Sequence, residues 1–381
     1  MSFGPYLGPL GGQSACDDTN VGGPCGGRAR DRPEAGSLAC VLLHVTHPAV
    51  TAPVAVDPSG QHGPTRRQAR GPHWRRTSAN RFVPATVDPT HLQQRIVEAV
   101  ASVPEGSAVT GWAALGWGGA RWFAGTTATG QLLPVPIALD DHRLAVRRPG
   151  VLACHDWLFD GEVTMVDGVP MTVPERSLSF AVRRARSDRA AVGLIDMAYA
   201  WDLTAPDPFW LHLSRLGGRP GIRRARRAFA RAEENAWSPM ESVMRCLWRE
   251  TGRPRPLSNA PIFDLAGDHL LTPDLLDPVA GVAGEYDGAD HAGLEPRRRD
   301  LDREDLYREL GIELVTMMST DLRDTTAFLT RLHRAYGRSS GGRGSLRWTL
   351  DHPEWWVDTS TVARRRALSA SERAVWLRWR R

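Results

Sequence analysis

This sequence predicts an α/β chain whose C-terminal part is built around an acidic β-hairpin, and three observations carry that expectation. Short β-type runs, HLLTPDLLD and GVAGEYDG, flank a turn at Asp277-Pro278-Val279-Ala280. Helices over 238–250 and 300–311 bracket the hairpin, the first opening with Ser238-Pro239-Met240-Glu241. Upstream, residues 89–237 alternate helical and strand runs and read as a smaller α+β region. At 381 residues the chain is long enough for two or three domains with their own cores.

Composition narrows the classes. Hydrophobic residues make up 41% and charged residues 24%, ordinary values for a soluble protein. The formal net charge of +5 is compatible with nucleic acid without requiring it. All 48 basic residues are arginine, a set that suits bidentate phosphate contacts and that also follows from a GC-rich genome. The five cysteines (Cys16, Cys25, Cys40, Cys154, Cys246) show no CxxC spacing, which argues against a zinc site or a disulfide framework. No apolar run has membrane-spanning length and no leader pattern opens the chain, so the expectation is cytoplasmic.

In chain order, residues 1–57 are rich in Gly and Pro and are expected to be a disordered arm or a stretch upstream of the true start, the latter favoured. Residues 58–88 then hold a short basic helix and a two-stranded ribbon anchored by Trp74 and Phe82. Arg66, Arg67, Arg70, Arg75, Arg76 and Arg81 make this ribbon a candidate phosphate contact. Within 89–237, HLQQRIVEAVASV reads as a helix and SAVTGWAALGWGGARWF as a second one, with its tryptophans in the core. Strands are expected in LLPVPIAL and HRLAVRR, a strand pair in EVTMVDGVPMTV, and a helix from Pro174-Glu175-Arg176. The Arg-rich PGIRRARRAFARAEENA reads as a linker helix. The ribbon and the segment VDGVPMTVPERSLSFA resemble the AbiEi antitoxin family, with a winged helix that is only partial here. The turn glycine of that wing falls on Asn80 or Arg81.

Residues 238–336 carry the chemistry. Pairing Asp277 with Ala280 sets Asp274 opposite Ala283 and Glu285 opposite Thr272, and side-chain alternation then puts Asp274, Glu285 and Asp287 on one face. A shift by a whole pleat keeps them there. Three converging carboxylates repel one another unless a cation lies between them, and an all-oxygen set suits Mg²⁺ or Mn²⁺. Plainer roles exist for several acids. Ser238 to Glu241 forms a capping box that by itself accounts for Glu241. Asp277 is a turn former, Asp264 ends a strand, and Asp321 is a helix N-cap. Arg297-Arg298-Arg299 is either a solvated run or a holder of a phosphate backbone.

Glu241, Asp274, the Glu285-Tyr286-Asp287-Gly288 run and His291, followed by Asp300 and Arg303, resemble the PD-(D/E)xK nuclease superfamily, and within it the very-short-patch-repair-like branch. The resemblance spans 238–336 and implies a restriction-endonuclease-like α/β fold with a central mixed sheet. It implies metal-dependent hydrolysis of DNA phosphodiesters, with Glu241, Asp274, Glu285, Asp287 and His291 catalytic and Asp274 and Glu285 holding Mg²⁺ or Mn²⁺. DNA would be held by Arg297, Arg298, Arg299 and Arg303 together with Arg66, Arg67, Arg75 and Arg76. Asp287 stands where the superfamily usually has Lys, so His291 takes the place of general base. The alternative is a DNA-binding antitoxin or regulator, with a toxin protein as partner, in which the nuclease fold is kept for binding alone. Residues 337–381 read as a tail, with Trp355 and Trp356 packed back and the terminal Arg-rich helix exposed.

Overall fold

The computed structural model describes residues 43, 45–139, 148–288, 294–339 and 347–380, with 294–300 described by backbone alone. The chain divides into two compact units, Met1–Val173 and Pro174–Arg381. The expected strand HRLAVRR falls largely outside the described residues, as does residue 291.

The first unit opens with the hairpin β1 (Trp74–Ser78) and β2 (Arg81–Pro84), after a three-residue 3₁₀ turn in place of the expected basic helix. Its turn is Ala79-Asn80, with Asn80 at φ 54°, a left-handed conformation that Asn tolerates better than most residues. Then come α1 (Leu92–Val100), β3 (Ala108–Val109), α2 (Gly111–Gly116), β4 (Val135–Ala138), β5 (Val151–Cys154), β6 (Val163–Val166) and β7 (Val169–Thr172). Strands β3 to β7 form one mixed sheet in the order β5-β4-β3-β7-β6. Asp167 and Gly168, both at positive φ, make the tight turn that joins β6 to β7. The long Trp-rich helix expected here is short instead. It ends at Gly116, ahead of the Gly118-Gly119 pair, and a 3₁₀ turn carries Trp122 and Phe123. Trp112, Trp117 and Phe123 are nonetheless core residues.

The second unit begins with α3 (Pro174–Arg183), α4 (Asp188–Ala200), α5 (Pro206–Arg215) and α6 (Ile222–Phe229). Helices α3 and α6 pack on α4, and α5 packs on α3 and α6, so the Arg-rich α6 is part of a helical layer of this unit rather than a free-standing linker. Next follow α7 (Pro239–Glu250), β8 (Leu257–Ser258), β9 (Ile262–Asp264), β10 (His269–Leu271), β11 (Leu275–Asp277), β12 (Val282–Asp287), α8 (Leu294–Glu309), β13 (Glu313–Met318) and α9 (Thr326–Arg338). The chain closes with β14 (Trp348–Thr349), α10 (Val362–Ala367) and α11 (Ala370–Trp376).

The central sheet runs β13-β12-β11-β8. β8, β11 and β12 are antiparallel neighbours, and β13 returns parallel to β12 after the α8 crossover. One face of this sheet packs Leu275, Val282, Val315 and Met317 against Met244 and Trp248 of α7 and Phe328 and Leu332 of α9. Gly284 is required there, because a Cβ would stand 2.9 Å from the Trp248 ring. The other face packs Leu276 and Ala283 with Tyr307 of α8 and with Ile262, Leu271 and Trp348 of the small β10-β9-β14 sheet.

The C-terminal segment packs back on this unit, with Trp355 and Trp356 against Phe263, and it does so through more than these two rings. β14 pairs with β9, and Arg365 of α10 is fully buried. Arg365 donates to Asp202 at 2.9 Å and to the carbonyl of Tyr199, and Arg380 also reaches Asp202 at 2.8 Å.

Candidate active site

The acidic hairpin forms, but its register is one pleat away from the simplest pairing. Asp277 faces Val282, Leu276 faces Ala283 and Leu275 faces Gly284. The loop is longer because Gly281, at φ 65°, adds a left-handed residue before β12. Asp277 shapes that loop: its Oδ1 accepts from the Val279 and Ala280 N–H groups at 3.1 and 3.0 Å. Continuing the same register places Asp274 across from Glu285. Asp274 and Glu285 therefore share a face, and alternation along β12 puts Asp287 on it as well, exposed at the strand end.

Each of three carboxylates is held through one of its oxygens. Asp274 Oδ2 accepts from the Tyr286 N–H at 2.8 Å. Glu285 Oε1 accepts from Arg303 Nε at 2.7 Å and from the Tyr307 hydroxyl at 2.6 Å, with Arg303 Nη2 also pairing to it. Glu241 Oε2 accepts from the Trp237 N–H and from Asn259 Nδ2, both at 2.7 Å. The Ser238 hydroxyl caps α7 by accepting from the Glu241 N–H, while the Glu241 side chain reaches back beyond Ser238 to Trp237. Glu241 thus takes part in ordering the helix start and still joins the acidic cluster. Among the described residues, the second oxygen of Asp274 and of Glu285 carries no hydrogen bond.

The electrostatics follow from crowding. Burial raises the Asp274 pKa well above the ordinary carboxylate value, and repulsion from Glu241 and then Glu285 raises it further, against the Tyr286 N–H. Burial likewise raises the Glu241 carboxyl, opposed by its Trp237 and Asn259 hydrogen bonds. Burial acts to lower the Arg303 pKa, but its ion pair with Glu285 outweighs this and holds the guanidinium above its usual value. Burial pushes the Tyr307 hydroxyl up, and the neighbouring Glu285 charge adds to it.

The remaining predicted site residues are placed less uniformly. His291 lies outside the described residues. Arg297, Arg298 and Arg299 fall on the N-terminal half of α8, and their side chains are outside the described set. In the first unit, Arg66, Arg67 and Arg76 are exposed on the ribbon, but Arg75 is not a free cation. It forms a two-point ion pair with Glu98 of α1, at 2.7 and 2.9 Å, because its side chain turns inward to the one carboxylate beneath the hairpin.

Two participants escape a reading of the sequence. Asn259, at φ 46° after β8, steadies Glu241, and nothing local marks it. Tyr307 lies four residues after Arg303, one helical turn along α8, and that i, i+4 spacing was the available signal. Among the described residues, no group of three or more His, Cys, Asp or Glu is gathered as a ready metal cage. No helix among them is long and apolar enough to cross a membrane. Compared with protein-family models, curated proteins and solved structures, the chain finds no match.

Proposed function

We propose that the second unit is a metal-dependent nuclease that hydrolyses DNA phosphodiesters. The observation that carries this reading is the convergence of Glu241, Asp274 and Glu285, close enough to raise the Asp274 pKa through mutual repulsion. The element order supports it: a helix, three antiparallel strands, a crossover helix and a parallel strand, with the acids on the two middle strands. This is the core a restriction-endonuclease-like fold would need. The donor chemistry fits a hard divalent cation, since all three groups are carboxylates and those of Asp274 and Glu285 each have one oxygen unengaged. Asp274 and Glu285 would hold Mg²⁺ or Mn²⁺, aided by Glu241. Such an ion, when bound, polarises a phosphoryl oxygen and acidifies water.

The chain's own residues divide the rest of the work. Arg303 and Tyr307 fix the Glu285 carboxylate, and Asn259 with the Trp237 N–H fixes Glu241. His291 is the proposed base, with Asp287 exposed where a lysine is usual. Water loses a proton to the base and attacks phosphorus, the bridging P–O bond breaks, and the departing oxygen is protonated. The test is cleavage of supercoiled plasmid and oligonucleotides by wild type and Asp274→Ala with Mg²⁺, Mn²⁺ or EDTA. Metal-dependent nicking that disappears in the variant is expected.

A second reading has its own observation. Glu285 is already neutralised by Arg303 and Tyr307, as in a site kept for structure. On that reading the protein is a DNA-binding antitoxin or regulator paired with a toxin. DNA bound equally by both proteins, and left uncut with every metal, would favour it.

A further inference from the structure

Beside the carboxylate cluster, the second unit carries a groove of about 960 Å³. Its walls come from the β8–β10 region, from the segment after β14 and from the C-terminal helix. It is unusually aromatic: Trp237, Trp355, Trp356, Trp376 and Trp379 all line it. Several of these rings are braced by one another. Trp237 stacks on Trp379 at 4.9 Å between ring centres, and Trp356 stacks on His269 at 5.1 Å. Trp355 remains 53% exposed, although its Nε1–H is anchored on the Gly267 carbonyl at 3.1 Å. An indole held in place by a hydrogen bond while half its surface faces solvent is preorganised for contact with a flat ring. Val375 and Leu257, 59% and 43% exposed, add further apolar wall.

The carboxylates on the groove are all engaged. Glu233 pairs with Arg255, Glu234 accepts from the Val362 N–H at 2.8 Å, and Asp358 pairs with Arg364. The exposed Arg378 has no carboxylate partner among the described residues, which leaves its guanidinium open to a phosphate. The groove also leads to the acids, because Asn259 and Arg303 of its wall are the residues that bond Glu241 and Glu285. Aromatic faces beside an exposed arginine suit a strand whose bases are unstacked, since paired bases present their faces only to one another.

We infer that this groove seats an unpaired stretch of DNA, with bases against the Trp355 and Trp356 rings and the backbone toward Arg378 and Arg303. The inference deepens the nuclease reading and rests on it for the choice of polymer. The test uses full-length Asp274→Ala protein in EDTA, so that binding is measured without cleavage. Fluorescence anisotropy of labelled oligo-dT, of the matching duplex and of oligo-U is compared with Trp355→Ala and Trp355→Phe added. Tighter binding of oligo-dT than of duplex is expected, weakened about tenfold by Trp355→Ala and largely restored by Trp355→Phe. Trp210→Ala, at an exposed ring of α5 away from the groove, should change nothing. Preference for duplex, preference for oligo-U, or binding indifferent to Trp355→Ala would overturn the inference. Strand binding with no cleavage by the wild-type protein under Mg²⁺ or Mn²⁺ would sink the nuclease alone, and metal-dependent cleavage by wild type without strand binding would sink the groove alone.

Discussion

Two buried aspartates in the second unit meet the same cost in opposite ways. Asp196 of α4 is fully buried, and burial raises its pKa, but Arg245 of α7 lies 2.7 Å away, equally buried, and the Ser242 hydroxyl donates at 2.5 Å. Its other oxygen takes the Glu233 N–H at 2.7 Å. Asp274 has one backbone N–H and two carboxylates for neighbours, and both of those push its pKa further in the direction that burial already sets. The first aspartate joins two helices. The second is held at odds with its surroundings, as the proposed metal site requires.

The largest test of this contrast is Asp196→Ala. It would strand Arg245 as a lone buried cation, so we expect a loss of about 3–5 kcal/mol in urea unfolding. A loss below about 1 kcal/mol would mean that the pair is not the joint described. Asp274→Asn should act in the opposite sense. The folded pKa of Asp274 lies above the unfolded value of 3.8, so between the two the native state keeps a proton that the unfolded state has lost. Wild-type stability therefore falls as pH rises through that window. The asparagine variant escapes this fall and should be more stable at neutral pH, by on the order of 1 kcal/mol, with the gap closing below about pH 3.8. Urea midpoints across pH would show it, and a destabilised variant at neutral pH would break the comparison.

Smaller effects sharpen it. Tyr307→Phe removes one hydrogen bond to Glu285 and should cost about 1 kcal/mol in the same assay, while freeing Glu285 for a cation. A larger thermal shift with Mg²⁺ in this variant than in wild type would bear out that second effect. Asp287→Ala, at an exposed strand end, should change stability by less than about 0.5 kcal/mol. If it also leaves cleavage untouched, Asp287 drops out of the catalytic set.

Much of the hairpin was legible in the sequence, because face is set by parity and parity survives a shift of one pleat. The register was not, since Gly281 lengthens the loop and its φ is invisible until the chain is closed. Ser238 announced the start of α7 through local capping chemistry. Arg365 gave no such signal: its acceptors, Asp202 and the Tyr199 carbonyl, stand 163 and 166 positions upstream, so one arginine of a run that looked solvated is buried while its neighbours are exposed. The ion pair of Arg75 was equally hidden, its partner Glu98 lying 23 positions on. Local patterns expose caps, turns and faces, whereas the answer to a distant charge appears only once helices meet.

Asp202, at the left-handed φ of 54° just past α4, receives Arg365 and Arg380 from the far end of the unit. The early helices of the unit and its last ones therefore meet at a single carboxylate. Removing the segment from Arg365 onward would take both cations from Asp202 at once, so damage at the end of the sequence would be felt at the end of α4.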